Sequence, residues 1–477
     1  MTTILACVTT VASVWTFNSA PLAVEAATGR EISPGVHELR VPSRGSCGWW
    51  ETSSSVVPGG GVRFRATVEI SVDDAKDFVH NDFMMFVRWD FPNDGKNRSK
   101  SGNGVDKGKF YQRDFVVFTD RKDGGKLVRT FDETFAVPGE CDSVEIEFIG
   151  KWHPMTVTIR DAKVENVARP KPRRVRCVVG NPFEATGNKI IAERRKAGET
   201  MTGEKTMAVQ LGQIEKCLTN IFAHVENPDI ILFSECLSTQ GAPDPASVAE
   251  AIPGGPSWKL AEKYAKKYSC NIAMNVRERD AEGQCHNTVF VCDRNGKLAG
   301  LYRKVHLTSG EYQMGIVPGD GFPVFDLDFG RVGALVCWDN WFSESIKMVK
   351  RNGAELLLFP LAGCAQDHVD TVFPSRAIDA GIPILVAMRQ GHLPNGIIDR
   401  DGTWIAKTYD DCGYAVADID LNDRKRTFWL SVGPGMGDPH ELYYDESRPE
   451  VYEKFNWRKP RCGACRGWTT TSTSCAR

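Results

Sequence analysis

The sequence predicts an all-β sandwich followed by an α/β layered domain. Residues 30 to 168 lack helical periodicity and alternate apolar with polar side chains. From residue 174 onward, short apolar strands alternate with helical stretches, the pattern of a layered α/β core. At 477 residues the chain also exceeds the roughly 250–300 at which one hydrophobic core stops growing.

The elements follow in order. Residues 1 to 29 are apolar and small-rich, with no acidic residue before Glu25 and no Lys or Arg before Arg30. They read either as a secretory signal or as the first strand of the sandwich, and the appended sandwich favours export. Within residues 30–168, strands are expected at Val62–Ile70, Phe83–Trp89, Ser143–Phe148 and Thr156–Val164, broken by Gly, Pro and Asp turns. The glycine-rich run from Gly102 to Lys109 lacks phosphate-loop spacing and reads as a charged loop, and Asn97-Arg98-Ser99 is a glycosylation sequon that matters only in a eukaryotic secretory setting. Residues 169–173 form a stiff Pro-rich linker. In residues 174–440, a strand over Arg174–Gly180 precedes a helix around Thr206–Val225, where Met207, Leu211, Ile214, Leu218 and Ile221 recur at helical spacing. A strand ending at Glu235, a helix near Ser257–Tyr268 and a strand over Asn271–Val276 come next. Residues 441–477 are expected to form a C-terminal extension, partly flexible.

The formal charge of −2 points to neither nucleic acid nor an anionic membrane as a partner. No run of about 18 apolar residues would cross a bilayer as a helix. Fifteen cysteines, most of them single in apolar strands, read as reduced thiols; Cys47 and Cys141 could pair if the chain is exported. Cys462-Gly463-Ala464-Cys465 has redox or half-zinc spacing, but no second ligand pair follows beyond Cys475.

Three polar residues at strand ends carry the chemistry. Cys337 closes Arg331-Val332-Gly333-Ala334-Leu335-Val336 and precedes a polar turn and a helix opening at Ser343. Glu235 closes Asp229-Ile230-Ile231-Leu232-Phe233-Ser234, and Lys304 interrupts the strand-like Gly300–Leu307. Each alone has a bland reading: a buried structural thiol, a capping or solvated carboxylate, a surface charge. Together they supply a nucleophile, a proton shuttle and a cationic oxyanion stabiliser for acyl transfer at a carbon–nitrogen bond. The carboxyl of Glu235 would accept the thiol proton as Cys337 attacks an amide carbonyl. Lys304 and a backbone N–H just after Cys337 would hold the oxyanion, and Glu235 would then protonate the departing amine and activate water.

These segments resemble the nitrilase superfamily of carbon–nitrogen hydrolases over roughly residues 172 to 425. Cys337-Trp338-Asp339-Asn340-Trp341-Phe342-Ser343-Glu344 is similar to the motif of N-carbamoylputrescine amidases, with Ser343 in place of a proline at a helix start. Pro318-Gly319-Asp320, Gly353–Pro360, Ser375–Ala380 and Ile384–Ala387 fit the same family; Met388-Arg389-Gln390-Gly391 departs from it, which puts substrate contacts from that loop in doubt. The resemblance implies a catalytic triad of Glu235, Lys304 and Cys337, with Glu311, Trp338 and Trp341 positioning substrate. It implies a four-layer α-β-β-α sandwich, a homodimer or higher homo-oligomer, and a thioester mechanism that needs no metal or cofactor. The substrate class is a linear amide or N-carbamoyl compound, and Trp341, His368 and Arg389 are candidates for its pocket. Nitrile hydrolysis or acyl transfer to an amine on the same triad is the alternative. The earlier residues resemble galactose-binding jelly rolls, which implies a carbohydrate partner at Trp49, Trp50, Trp89 or Trp152 unless these are core residues. A binding protein acting through that sandwich, its second domain a scaffold, is the non-enzymatic alternative.

Overall fold

The computed structural model describes residues 14–72, 80–90, 111–139, 141–424, 427–429, 435–437, 447–448 and 451. Residues 1–13, the sequon at Asn97, the glycine-rich run 102–109 and the C-terminal cysteines from Cys462 onward lie outside the described residues. The chain divides into two compact units, one of residues 1–170 with 428–437 and 444–477, the other of residues 171–427 with 438–443.

The first unit holds two sheets, of seven and six strands, paired almost wholly antiparallel. Strand Gly61–Val72 shows the physical basis: Val62, Phe64, Ala66, Val68 and Ile70 are buried while Arg63, Arg65, Thr67 and Glu69 point outward, the period of a half-buried strand. One core cluster collects Trp50, Phe64, Trp89, Phe131 and Phe148, each side chain contributing roughly 1.5–3 kcal/mol by leaving water. Trp50 and Trp89 are therefore packing residues, whereas Trp49 and Trp152 stay partly exposed. Thr16–Ser19 pairs with Cys47–Ser55, and Gly435–Gly437 returns from late in the chain to pair in parallel with Tyr111–Phe115. Cys47 and Cys141 are free thiols rather than a disulfide. The register explains it: Cys47 lies opposite Lys151, whereas Ser55, at the far end of the same strand, lies opposite Ser143. At about 3.3 Å per residue the two thiols stand far beyond the roughly 7 Å Cα limit for bridging.

The second unit contains two six-stranded sheets. The first runs in the order Leu298–Arg303, Cys285–Cys292, Asn271–Arg279, Ile230–Leu232, Arg174–Asn181, Gly413–Asp420; the second is Val324–Leu327, Gly330–Ala334, Leu356–Leu361, Ile384–Met388, Asn395–Ile398, Trp404–Thr408. In each, the three central strands are parallel and the outer ones antiparallel. One apolar cluster joins the facing sheet surfaces, with Val175, Leu232 and Val289 packed among Val332, Leu358 and Val386. Helices Gly203–His224 and Pro256–Tyr268 cover the outer face of the first sheet, and Ser343–Arg351 and Phe373–Ala380 pack on the second. Thr202 caps the longest helix by accepting from the Lys205 N–H, and Met207, Gln210, Ile214, Leu218 and Ile221 form its buried stripe. A further helix, Glu184–Lys196, has no such stripe: it buries only Gly187 and Ile191, so apolar periodicity could not announce it. Among the described residues, no helix is long and apolar enough to cross a membrane.

Candidate active site

The site forms beyond the carboxyl ends of the central parallel strands, where open α/β sheets place their ligands. Strand Ile230–Leu232 is fully buried, and the chain leaves it through Phe233 and Ser234 to Glu235. Strand Gly330–Ala334 continues through Leu335 and Val336 to Cys337, the first residue of a 3₁₀ turn over Cys337–Trp341. Both exits turn sharply. Cys236 and Cys337 each adopt φ of 45°, a left-handed conformation that costs a side-chain-bearing residue roughly 1–2 kcal/mol. Lys304 is the first residue after strand Leu298–Arg303 rather than a member of it, tied by its N–H to the Asn287 carbonyl at 2.8 Å.

Buried polar groups hold these turns. Asn275 Oδ1 accepts from the Cys236 N–H at 2.9 Å. Asp339 is completely buried and accepts from the Val336 N–H at 2.9 Å, the His306 N–H at 2.8 Å and the Tyr302 hydroxyl at 2.7 Å. One carboxylate thus fixes the chain just before Cys337 to the segment that carries Lys304.

The structure brings Glu235, Lys304, Cys337 and Glu311 together. Lys304 Nζ donates to Glu235 Oε1 at 3.2 Å and to Glu311 Oε2 at 2.8 Å. Asn287 Nδ2 bridges the same carboxylates from the other side, at 2.8 Å to Glu235 and 2.6 Å to Glu311. Glu311 lies on the short helix Ser309–Gln313, where Thr308 forms a reciprocal capping pair with it. Burial disfavours charge on Lys304, but the carboxylates of Glu235 and Glu311 and the neighbouring Cys337 sulfur outweigh it, so the ammonium is held firmly protonated. Glu311 behaves inversely: burial raises it, yet Lys304 and the Asn287 and Thr308 donors keep it below the usual carboxylate range. The Cys337 thiol is pushed up to about 12 by burial and by Glu235, its hydrogen-bond partner, against the opposing pull of Lys304 and the Ala362 N–H.

A small cavity opens beside the thiol, lined by Asn340, Trp341, Phe359, Cys364, His368 and Phe373 among others. Trp341 meets His368 edge-on, with ring centroids 4.3 Å apart. Trp338 packs against Trp341 at 5.6 Å but does not line this cavity. Arg389 stands off it, paired with Glu184 at 2.7 Å. Asn287 and Asp339 were not singled out from sequence. An Asn within a strand and an Asp in a turn carry no signal of their own, although Asp339 sits inside the cysteine motif.

Residues 201–427 match the profile of the carbon-nitrogen hydrolase family. A citrullinase from Francisella tularensis is 29% identical over 235 residues, covering 44% of this chain and 78% of that protein. An omega-amidase from Homo sapiens is 30% identical over 222 residues, 42% of this chain and 79% of that one. An N-carbamoylputrescine amidase from Solanum lycopersicum is 36% identical over 156 residues, but the match spans only 52% of its length and 30% of this chain. Among solved structures, an amidase from Nesterenkonia sp. AN1 aligns at 16% identity with a TM-score of 0.46, over 60% of this chain and 98% of that one. This chain belongs to the carbon–nitrogen hydrolase family of the nitrilase superfamily and carries a hydrolase domain for carbon–nitrogen bonds other than peptide bonds.

Proposed function

We propose that the protein is a cysteine-dependent amidase that cleaves a linear amide or N-carbamoyl compound through a thioester on Cys337. The observation that carries this reading is the pair of contacts from Lys304 Nζ to Glu235 and Glu311, made next to a thiol whose hydrogen-bond partner is Glu235. A thiol pushed up to about 12 is protonated at neutral pH, so attack needs a base in contact with it. Glu235 takes the proton as sulfur bonds to the carbonyl carbon. Lys304 and the Trp338 backbone N–H receive the oxyanion, and loss of one such donor typically costs about 100- to 1000-fold in rate. Glu235 returns the proton to the departing ammonia or amine, then deprotonates the water that cleaves the thioester. Glu311 is already engaged by Lys304, Asn287 and Thr308. Its part is to anchor the ammonium and orient the amide, with Trp341 forming the cavity wall.

Ammonia release from a panel of amides, ureido compounds and nitriles tests the reading. Amides or ureido compounds are expected to react and nitriles not, with the activity absent in Cys337→Ala. Nitrile turnover, or an unaffected Cys337→Ala variant, would oppose it.

A second reading concerns the first unit. A surface cavity of about 240 Å³ is lined by Trp49, Phe86, Arg113, Glu147 and Lys151, which supports a carbohydrate ligand stacked on Trp49. Glycan-array binding that disappears in Trp49→Ala is the expected result; binding indifferent to that change would place the ligand elsewhere.

A further inference from the structure

The Glu235 carboxyl is the end of a hydrogen-bond relay that starts one residue away, at the Cys236 N–H. That N–H donates to Asn275 Oδ1 at 2.9 Å, and the Cys236 thiol donates to the same oxygen at 3.1 Å. Asn275 Nδ2 donates to Asn287 Oδ1 at 2.8 Å. Asn287 Nδ2 in turn donates to Glu235 Oε1 at 2.8 Å and to Glu311 Oε1 at 2.6 Å. Both asparagines are buried, so bulk water cannot take over these bonds.

The polarity of the relay is fixed at its start. A backbone N–H can only donate, so Asn275 must present its oxygen to Cys236 and its amino group to Asn287. Asn287 must then accept with Oδ1 and present its own amino group to the carboxylates. Turning either amide over would set donor against donor at one end.

Glu235 changes charge during the proposed reaction, and there the relay acquires a consequence. While both carboxylates are ionised they can only accept, and they would hold the Asn287 amino group unaided. Once Glu235 has taken the Cys337 proton, either of its oxygens could carry it. An Asn287 free to turn would offer its carbonyl to Oε1 and draw the proton there, away from the reacting nitrogen. The bond from Asn275 keeps Asn287 a donor in both states. Lys304 Nζ also donates to Oε1, at 3.2 Å. Two donors on Oε1 leave Oε2 as the oxygen for the proton.

We infer that Asn275 is a positioning residue that acts through Asn287 to keep the proton of Glu235 on Oε2. This rests on the amidase reading above and assigns the atom through which Glu235 works. The Cys337 S–H bond breaks as the S–C bond forms, and the proton passes to Oε2. The C–N bond then breaks and the same proton leaves Oε2 for the nitrogen, which departs as ammonia. Asn275 itself does not line the cavity beside Cys337.

The test compares butyramide with p-nitrophenyl butyrate on the full-length protein. The two deliver the same acyl group, but p-nitrophenolate departs without a proton, whereas ammonia needs one. Asn275→Leu should lose about 10- to 100-fold in kcat on butyramide, with KM within about threefold, and keep the p-nitrophenol burst within about threefold. Asn275→Asp keeps the acceptor for the Cys236 N–H but lacks the donor to Asn287; it should show the same pattern and guards against misfolding of the first variant. In an Asn287→Leu background, Asn275→Leu should have no further effect on kcat, because its action runs through the missing amide. Neutron diffraction supplies a readout free of turnover. At acid pD, where carboxyls take up deuterons, the unaltered protein should keep the Asn287 amino group toward Glu235, and Asn275→Leu should lose that orientation. That result without turnover of any amide would retire the amidase reading and leave the assignment of Asn275 standing. Equal losses on amide and ester, additive losses in the double variant, or an Asn287 orientation unchanged in Asn275→Leu would overturn it.

Discussion

At the scale of single residues, the surroundings of Cys337 keep its thiol protonated. Burial comes first and the Glu235 carboxylate second in pushing Cys337 up to about 12, while Lys304 pulls the other way. Glu235 and Lys304 therefore have separable signatures. Glu235→Gln removes both the proposed acceptor of the thiol proton and the charge that disfavours thiolate. Amide hydrolysis should fall roughly 100- to 10,000-fold, while alkylation by iodoacetamide at fixed pH becomes faster. Slower alkylation would contradict this electrostatic assignment. Lys304→Met should slow both reactions, and it leaves two buried carboxylates without their cation at a cost of about 3–5 kcal/mol in unfolding free energy. Hydrolysis, alkylation and chemical denaturation of the two variants check all of these outcomes. The three segments were legible in sequence because Glu235 and Cys337 each end an apolar run. Asn287 was not: it reads as one polar residue in the strand Cys285–Cys292, and only the packing of that strand brings its amide between two carboxylates.

At the scale of elements, Asp339 couples the turn at Cys337 to the exit of the strand before Lys304. Asp339→Asn keeps the shape but replaces one acceptor oxygen with a donor facing N–H groups or the Tyr302 hydroxyl. An expected loss of about 1–3 kcal/mol in stability should come with a fall in kcat larger than any change in KM, because Asp339 does not line the cavity beside Cys337. Tyr302→Phe removes one donor and should cost about 1 kcal/mol. An Asp339→Asn variant with full kcat and lower stability would reduce Asp339 to a purely structural part. Sequence placed the strands and the Gly203–His224 helix well, since Met207, Ile214, Leu218 and Ile221 keep the helical period. It passed over Glu184–Lys196, whose exposed, charged surface gives no period to read. It also extended the strand through Lys304, where the structure ends it at Arg303 and Lys304 Nζ donates to Glu235.

At the scale of the whole molecule, the described cysteines are free, and several lie in the apolar layers of the second unit. Burial raises Cys177, Cys217, Cys236, Cys270 and Cys337 above their ordinary value. The sign follows directly: above about pH 9 the unfolded chain releases thiol protons that the folded chain retains, so folding is progressively disfavoured. This contribution to stability is complete below about pH 9 and is lost as pH climbs through the raised folded values. A urea midpoint that declines across that alkaline window is the expected observation, and a flat profile to pH 11 would contradict it. On the acid side, Glu311 and Asp418 are held below their ordinary range, with burial offset by Lys304 at the first and the Arg176 hydrogen bond leading at the second. Their contribution is present near neutral pH and lost as pH falls below about 4. The change in periodicity near residue 170 falls where the chain passes from one compact unit to the other. The separation of Cys47 from Cys141 was not, because pairing depends on a strand register that composition does not encode.

The proposed mechanism puts a covalent acyl group on one sulfur, which intact-mass spectrometry of the full chain during amide turnover would detect. A transient adduct equal to the acyl part of the substrate is expected, mapped to Cys337, released as turnover ends and absent from Cys337→Ala. Ammonia release that persists in Cys337→Ala, or an adduct on any other residue, would contradict it.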